Sequence, residues 1–144
     1  MRIVLDTNIL ARTFTGPYGP AGELFRLICT GHTLVLSPFL ITELDRVLRY
    51  ERMIALHGKS EERIDAHVDD ICQAGEMVIP QTISAVVPTD PDDDAVIATA
   101  IVGKADVLCT LDRHLRTDAV KSYCEQRGLK VMTDVELLEA LRKV

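Results

Sequence analysis

Four acidic positions in this 144-residue chain fall where short apolar runs end or helices begin. Asp6 directly follows the strand-like run Ile3-Val4-Leu5. Asp112 follows Val107-Leu108-Cys109 after two intervening residues. The run Asp90-Pro91-Asp92-Asp93-Asp94 opens an apolar helical stretch, and Glu43 lies within two turns of a helix start at Ser37-Pro38. Singly, each acid has an ordinary role. Acids in a first helical turn gain ~0.3–1 kcal/mol from the helix dipole, Asp112 can cap the turn at Arg113, and a lone glutamate is usually solvated. Asp6 is harder to dismiss, because a carboxylate at the end of a central strand is poorly hydrated and needs a partner. Gathered on one edge of a sheet, such carboxylates repel one another unless a cation lies among them. Oxygen donors without His or Cys suit a hard ion, Mg²⁺ or Mn²⁺, rather than zinc. An ion held there could activate water against a phosphodiester, and no Ser-His or Cys-His arrangement offers a rival nucleophile.

The elements that must carry these acids alternate. Ile3–Leu5, Leu34–Leu36, Val107–Cys109 and Val131-Met132 read as strands, with weaker signals at Met77–Ile79 and Val86-Val87. Between them, apolar residues recur at helical spacing: Leu24, Leu27 and Ile28; Leu40, Leu44, Val47 and Leu48; Ile64, Val68 and Ile71; Val120 and Cys124; Leu137, Leu138 and Leu141. Ser37-Pro38, Ser60, Asp90-Pro91 and the Thr133–Glu136 capping box mark helix starts, while Gly31, Gly75 and Gly128 mark ends. Strands alternating with helices predict right-handed parallel crossovers, and strands apolar on both sides predict helices on both sheet faces. The expected fold is α/β, a three-layer α/β/α sandwich around a mainly parallel sheet, in one domain from 1 to 144. Ligands then bind beyond the carboxyl ends of the strands.

The charge balance first argues against a polyanionic partner, with 22 acids against 16 bases and a net charge of −6. Seven of those acids, however, belong to the candidate pocket or its rim (Asp6, Glu43, Asp90, Asp92, Asp93, Asp94 and Asp112), and without them 15 acids face 16 bases. The acidity is local, and it marks a cation site. Cys29, Cys72, Cys109 and Cys124 are widely spaced within apolar stretches, which predicts buried free thiols and a reducing, cytoplasmic setting. No segment has the length to span a bilayer, so no membrane partner is expected.

In order along the chain, these motifs resemble those of the PIN-domain nucleases, particularly the VapC-like toxins of toxin–antitoxin pairs. Ile3-Val4-Leu5-Asp6-Thr7-Asn8 is similar to the opening motif, Ser37-Pro38 through Glu43-Leu44 to the second, Asp94-Ala95-Val96-Ile97-Ala98 to the third, and Leu108-Cys109-Thr110-Leu111-Asp112 to the fourth. The resemblance implies a metal site of Asp6, Glu43, Asp94 and Asp112, with Asp93 as a further contact. It implies that Thr7, Asn8 and Thr110 orient those carboxylates or the water, although turn capping explains Thr110 equally well. It also implies Mg²⁺- or Mn²⁺-dependent cleavage of RNA, an antitoxin protein as partner, and a homodimer.

Arg46 shares a helix face with Glu43, and Arg49 lies one turn further. With Arg12, Arg113 and Arg116 they could hold RNA phosphates, although each singly reads as a solvated, salt-bridged side chain. His32, His57 and His67 read as surface residues, His114 as part of a turn, and Phe25 and Phe39 as core. Two other readings stay open. A haloacid-dehalogenase-like phosphohydrolase would use Asp6 as nucleophile, although Asn8 stands where its second aspartate belongs. A non-catalytic module could use the acidic pocket to receive an arginine.

Overall fold

The computed structural model describes residues 1–87 and 91–143. Five strands form one parallel sheet: β1 (Arg2–Leu5), β2 (Thr33–Leu36), β3 (Glu76–Met77), β4 (Val107–Cys109) and β5 (Lys130–Met132), in the order β3-β2-β1-β4-β5. Alternate strand residues are buried on opposite faces, as their unbroken apolar runs require. Ile3, Leu5, Leu36 and Cys109 face one layer, built on α1 (Thr7–Thr15), α2 (Pro20–Gly31), α3 (Pro38–Leu48), α5 (Glu61–Ala74) and α8 (Asp134–Arg142). Val4, Val35, Leu108 and Val131 face the other, built on α6 (Pro91–Val102) and α7 (Asp118–Glu125). The expected α/β/α sandwich is the observed one.

The chain leaves β1 toward β2 on one side and returns past it to β4 on the other. The carboxyl edge between β1 and β4 is therefore the switch point, where a parallel sheet opens a crevice for ligands. The helices that reach this edge are fixed by their caps. Ser37 caps α3, accepting from Leu40 N–H, and its hydroxyl lies 2.7 Å from that of Thr99 on α6. The Thr99 hydroxyl in turn donates to the Ala95 carbonyl at 2.8 Å, so Ser37 is the donor of the pair. Both residues are fully buried, and this contact ties α3 to α6.

Several expectations are corrected. The sequence signals missed α1, which begins on the residue after Asp6, and α4 (Glu51–His57), which buries no residue. α4 lacks the apolar stripe that announces a core helix, whereas α1 packs Ile9, Leu10 and Ala11 into the core and follows β1 with no turn residue to mark its start. Val86-Val87 is not a strand; its backbone N–H groups are bound by a carboxylate, as shown below. β3 is two residues long. The capping role expected of Asp90 lies outside the described residues. Cys29 is exposed and Cys72 half-buried, whereas Cys109 and Cys124 are buried as expected. His57 and His67 are half-buried, packed edge and face against Phe14, and Phe39 is exposed rather than core.

Ser37→Ala removes the α3 cap and the tie to α6 together. It should cost about 1–2 kcal/mol in urea unfolding while the circular dichroism of the native state stays unchanged.

Candidate functional site

Asp6 ends β1 and caps α1. Its backbone N–H still pairs with the Cys109 carbonyl of β4 at 2.9 Å, so its position is fixed by the sheet. The side chain is 6% exposed. Oδ1 accepts from Thr7 N–H at 2.7 Å and Oδ2 from the Thr110 hydroxyl at 2.8 Å. The same Thr110 oxygen accepts from Asp112 N–H at 3.0 Å. Thr110, fully buried, thus couples the loop after β4 to the carboxylate after β1. Asp112 is half-buried, and its Oδ1 accepts from His114 N–H at 2.8 Å, capping the short 3-10 turn Arg113–Leu115.

Glu43 reaches the same edge from the second turn of α3, half-buried. Burial pushes its carboxyl pKa above the ordinary glutamate range, and the charges of Asp6 and Asp92 push it further. Arg46, one turn on, and the Thr7 hydroxyl pull the other way. That hydroxyl is on a residue 2% exposed and approaches Glu43 without completing a hydrogen bond. Asn8, expected beside it as an orienting group, is exposed on α1.

The three consecutive acids of α6 take three directions, since successive helical residues are about 100° apart. Asp92 lines a cleft with Glu43 and Arg46, and its carboxylate lies 3.8 Å from the Arg46 guanidinium. Asp94, expected among the metal-site acids, is turned to another side. Its Oδ1 accepts from Val86 N–H at 2.8 Å and Val87 N–H at 2.7 Å, so it pins the loop leading into α6. Asp93 shares a stripe with Val96, Ile97 and Ala100, which pack in the layer against the sheet, and it is 7% exposed at the N-terminal end of that stripe. Of the neighbouring acids, Asp93 is the one on the sheet-facing side.

The arginines divide likewise. Arg46 stays at the cleft, whereas Arg49 is bound to Asp45 and Asp65 on another side of α3. Arg12 and Arg113 are exposed, and Arg116 donates to the Leu111 carbonyl.

All donors at this edge are oxygens, as a hard divalent ion requires. Among the described residues, no three His, Cys, Asp or Glu side chains stand close enough to form a complete metal cage. Mg²⁺ does not ask for one: it keeps several waters and takes one or two carboxylates plus substrate phosphate. Asp6 and Glu43, whose carboxyl pKa is raised by burial and by the Asp6 charge, fit that demand.

A raised carboxyl pKa means that the folded protein takes up a proton more readily there than the unfolded chain. Ionised Glu43 therefore costs stability above its folded pKa, and the cost disappears as pH falls below the ordinary value of about 4.3. Glu43→Gln should melt at a higher temperature than wild type at pH 7 in EDTA, with the difference vanishing below about pH 4. Equal melting temperatures at pH 7 would remove the repulsion from the account.

A family model described as PIN domain matches residues 2–114. No curated protein matches the sequence. A crystal structure of VapBC2 from Rickettsia felis, bound to a DNA fragment from their promoter, superposes with a TM-score of 0.61 at 16% identity, covering 92% of this chain and 98% of that one. At that identity the likeness concerns the fold. The matched residues span β1 through the turn after β4, and so include Asp6, Glu43, Thr110 and Asp112. The chain belongs to the PIN domain family of nucleases.

Proposed function

We propose that this protein is an endoribonuclease that hydrolyses RNA phosphodiester bonds with Mg²⁺ or Mn²⁺, and that it acts as the toxin of a toxin–antitoxin pair. The observation that carries the reading is the buried Asp6 carboxylate, fixed at the carboxyl end of the central strand by Thr7 N–H and the Thr110 hydroxyl, with half-buried Glu43 of α3 at the same edge. Two acids forced together at the sheet's switch point are a liability for folding and an asset for binding a cation. In this reading Asp6 and Glu43 hold the ion, with Asp93 and Asp112 completing the acidic surround through water. Asp93 replaces Asp94, which is committed to the Val86-Val87 backbone.

A bound divalent ion would lower the pKa of a coordinated water and neutralise charge growing on the leaving oxygen. The protein's share is orientation. Thr7 N–H and the Thr110 hydroxyl lock both oxygens of Asp6 in direction, and the α1 N-terminus favours the charge. Thr110 also fixes the backbone of Asp112, so one hydroxyl sets the spacing of two acids. Arg46 offers a cation for phosphate at the cleft rim. The fold likeness to VapBC2 supports an antitoxin protein as partner, and a homodimer belongs to the same reading.

The test is cleavage of single-stranded RNA by the purified chain with Mg²⁺ or Mn²⁺, quenched by EDTA. Asp6→Asn and Asp93→Asn should lose activity by more than a hundredfold, Thr110→Val by about 10- to 100-fold, and Asp94→Asn should keep most of it. Saturating Mg²⁺, at a hundred times its Kd, should stabilise the wild type by about 2.7 kcal/mol, and Asp6→Asn should abolish the effect. Full cleavage by Asp6→Asn would overturn the reading. For the toxin role, induced expression should arrest growth of the host cell, and Asp6→Asn should not.

A further inference from the structure

The side of α3 that carries Glu43 also carries an aromatic ring with no place in the core. Phe39 stands one turn before Glu43 and is 44% exposed, although the neighbouring Leu40 is buried. Phe39, Thr42, Glu43 and Arg46, at helical spacing, form one wall of a cleft, and Asp92 and Val96 of α6 belong to the other. The cleft measures about 290 Å³. Pockets for small ligands run from about 300 to 1,000 Å³, so this one suits a single flat ring system rather than a larger ligand.

We propose that this cleft is a nucleobase subsite, in which Phe39 stacks on the base of the nucleotide beside the scissile phosphate and Thr42, Arg46 and Asp92 meet its polar edge. The proposal deepens the ribonuclease reading and rests on it. Three observations converge. Glu43, which the ribonuclease reading places at the ion, also lines the cleft wall, so a phosphate held at the ion has its neighbouring nucleoside at the cleft mouth. The wall carries an exposed aromatic face, and stacking on such faces is how single-stranded RNA is held with its bases splayed out. The rim provides a hydroxyl, a guanidinium and a carboxylate, which together offer donors and acceptors to a base edge. The cleft lies between two helices tied by the Ser37–Thr99 contact, so its width is set in advance.

The test uses a pool of short single-stranded RNAs randomised on both sides of one position, incubated with the full chain and Mg²⁺, with product ends sequenced. The wild type should show a base preference at one nucleotide flanking the cut. Phe39→Ala should flatten that preference and raise KM about tenfold, with kcat changed far less, whereas Phe39→Tyr should restore both. Because Phe39 is exposed, the fold should survive, and an unchanged melting temperature checks it. Cleavage by wild type without flanking preference, with the same KM for Phe39→Ala, would overturn the subsite alone. That result combined with loss of a co-purified partner protein in Phe39→Ala would assign the cleft to protein binding and overturn it equally. No cleavage of any RNA in the pool by wild type would overturn the ribonuclease reading, and the subsite with it.

Discussion

A carboxylate kept almost out of water at the end of the central strand is the constraint on which the candidate site depends. Asp6 cannot move without breaking its backbone bond to Cys109, and its charge is held by Thr7 N–H and the Thr110 hydroxyl. Burying a charge is costly unless hydrogen bonds or an ion replace the lost water. The strand, the helix dipole and the threonine supply part of that replacement. They also leave it aimed at the edge where Glu43 arrives from α3 and where the two sides of the sheet diverge.

Thr110 shows how little machinery such a site needs. One buried hydroxyl donates to Asp6 and accepts from Asp112 N–H, so the loops after β1 and β4 are joined by a single atom. Capping and site-building are the same act here. Asp112 caps its turn, as expected of an acid in that place, and Thr110 orients Asp6 while capping. The hydrogen bonds of Thr110 to Asp6 and from Asp112 N–H are compatible with both readings that the sequence left level.

α6 shows the limit of reading a site from motifs. Three successive aspartates open it, and proximity to the Ala95-Val96-Ile97-Ala98 run favours Asp94. The described helix is apolar on nearly every side, with Ala95 through Ala100 all buried. A helix buried all round has no amphipathic stripe to say which way it faces. Only the packing of Val96, Ile97 and Ala100 against the sheet turns Asp93 inward and gives Asp94 to the Val86-Val87 loop. Phe39 is the opposite case. It lies off the stripe of Leu40, Leu44, Val47 and Leu48 and on the side of Glu43, so helical spacing already contained its exposure, and the habit of counting aromatics as core concealed it.

The sequence by itself determined the alternation of strands and helices, the parallel sheet, and the positions of Asp6, Glu43 and Asp112 beyond the strands. These follow from local rules: apolar runs, caps and chain order act over a few residues. It also determined that α3 is capped by Ser37 and α8 by its Thr133–Glu136 box, since capping is chemistry between near neighbours. Tertiary structure alone decided which carboxylates reach the same edge, which arginine stays at the cleft, and that the Glu43 pKa is raised. Each of those depends on distances between residues remote in the chain, and on burial that no single segment encodes.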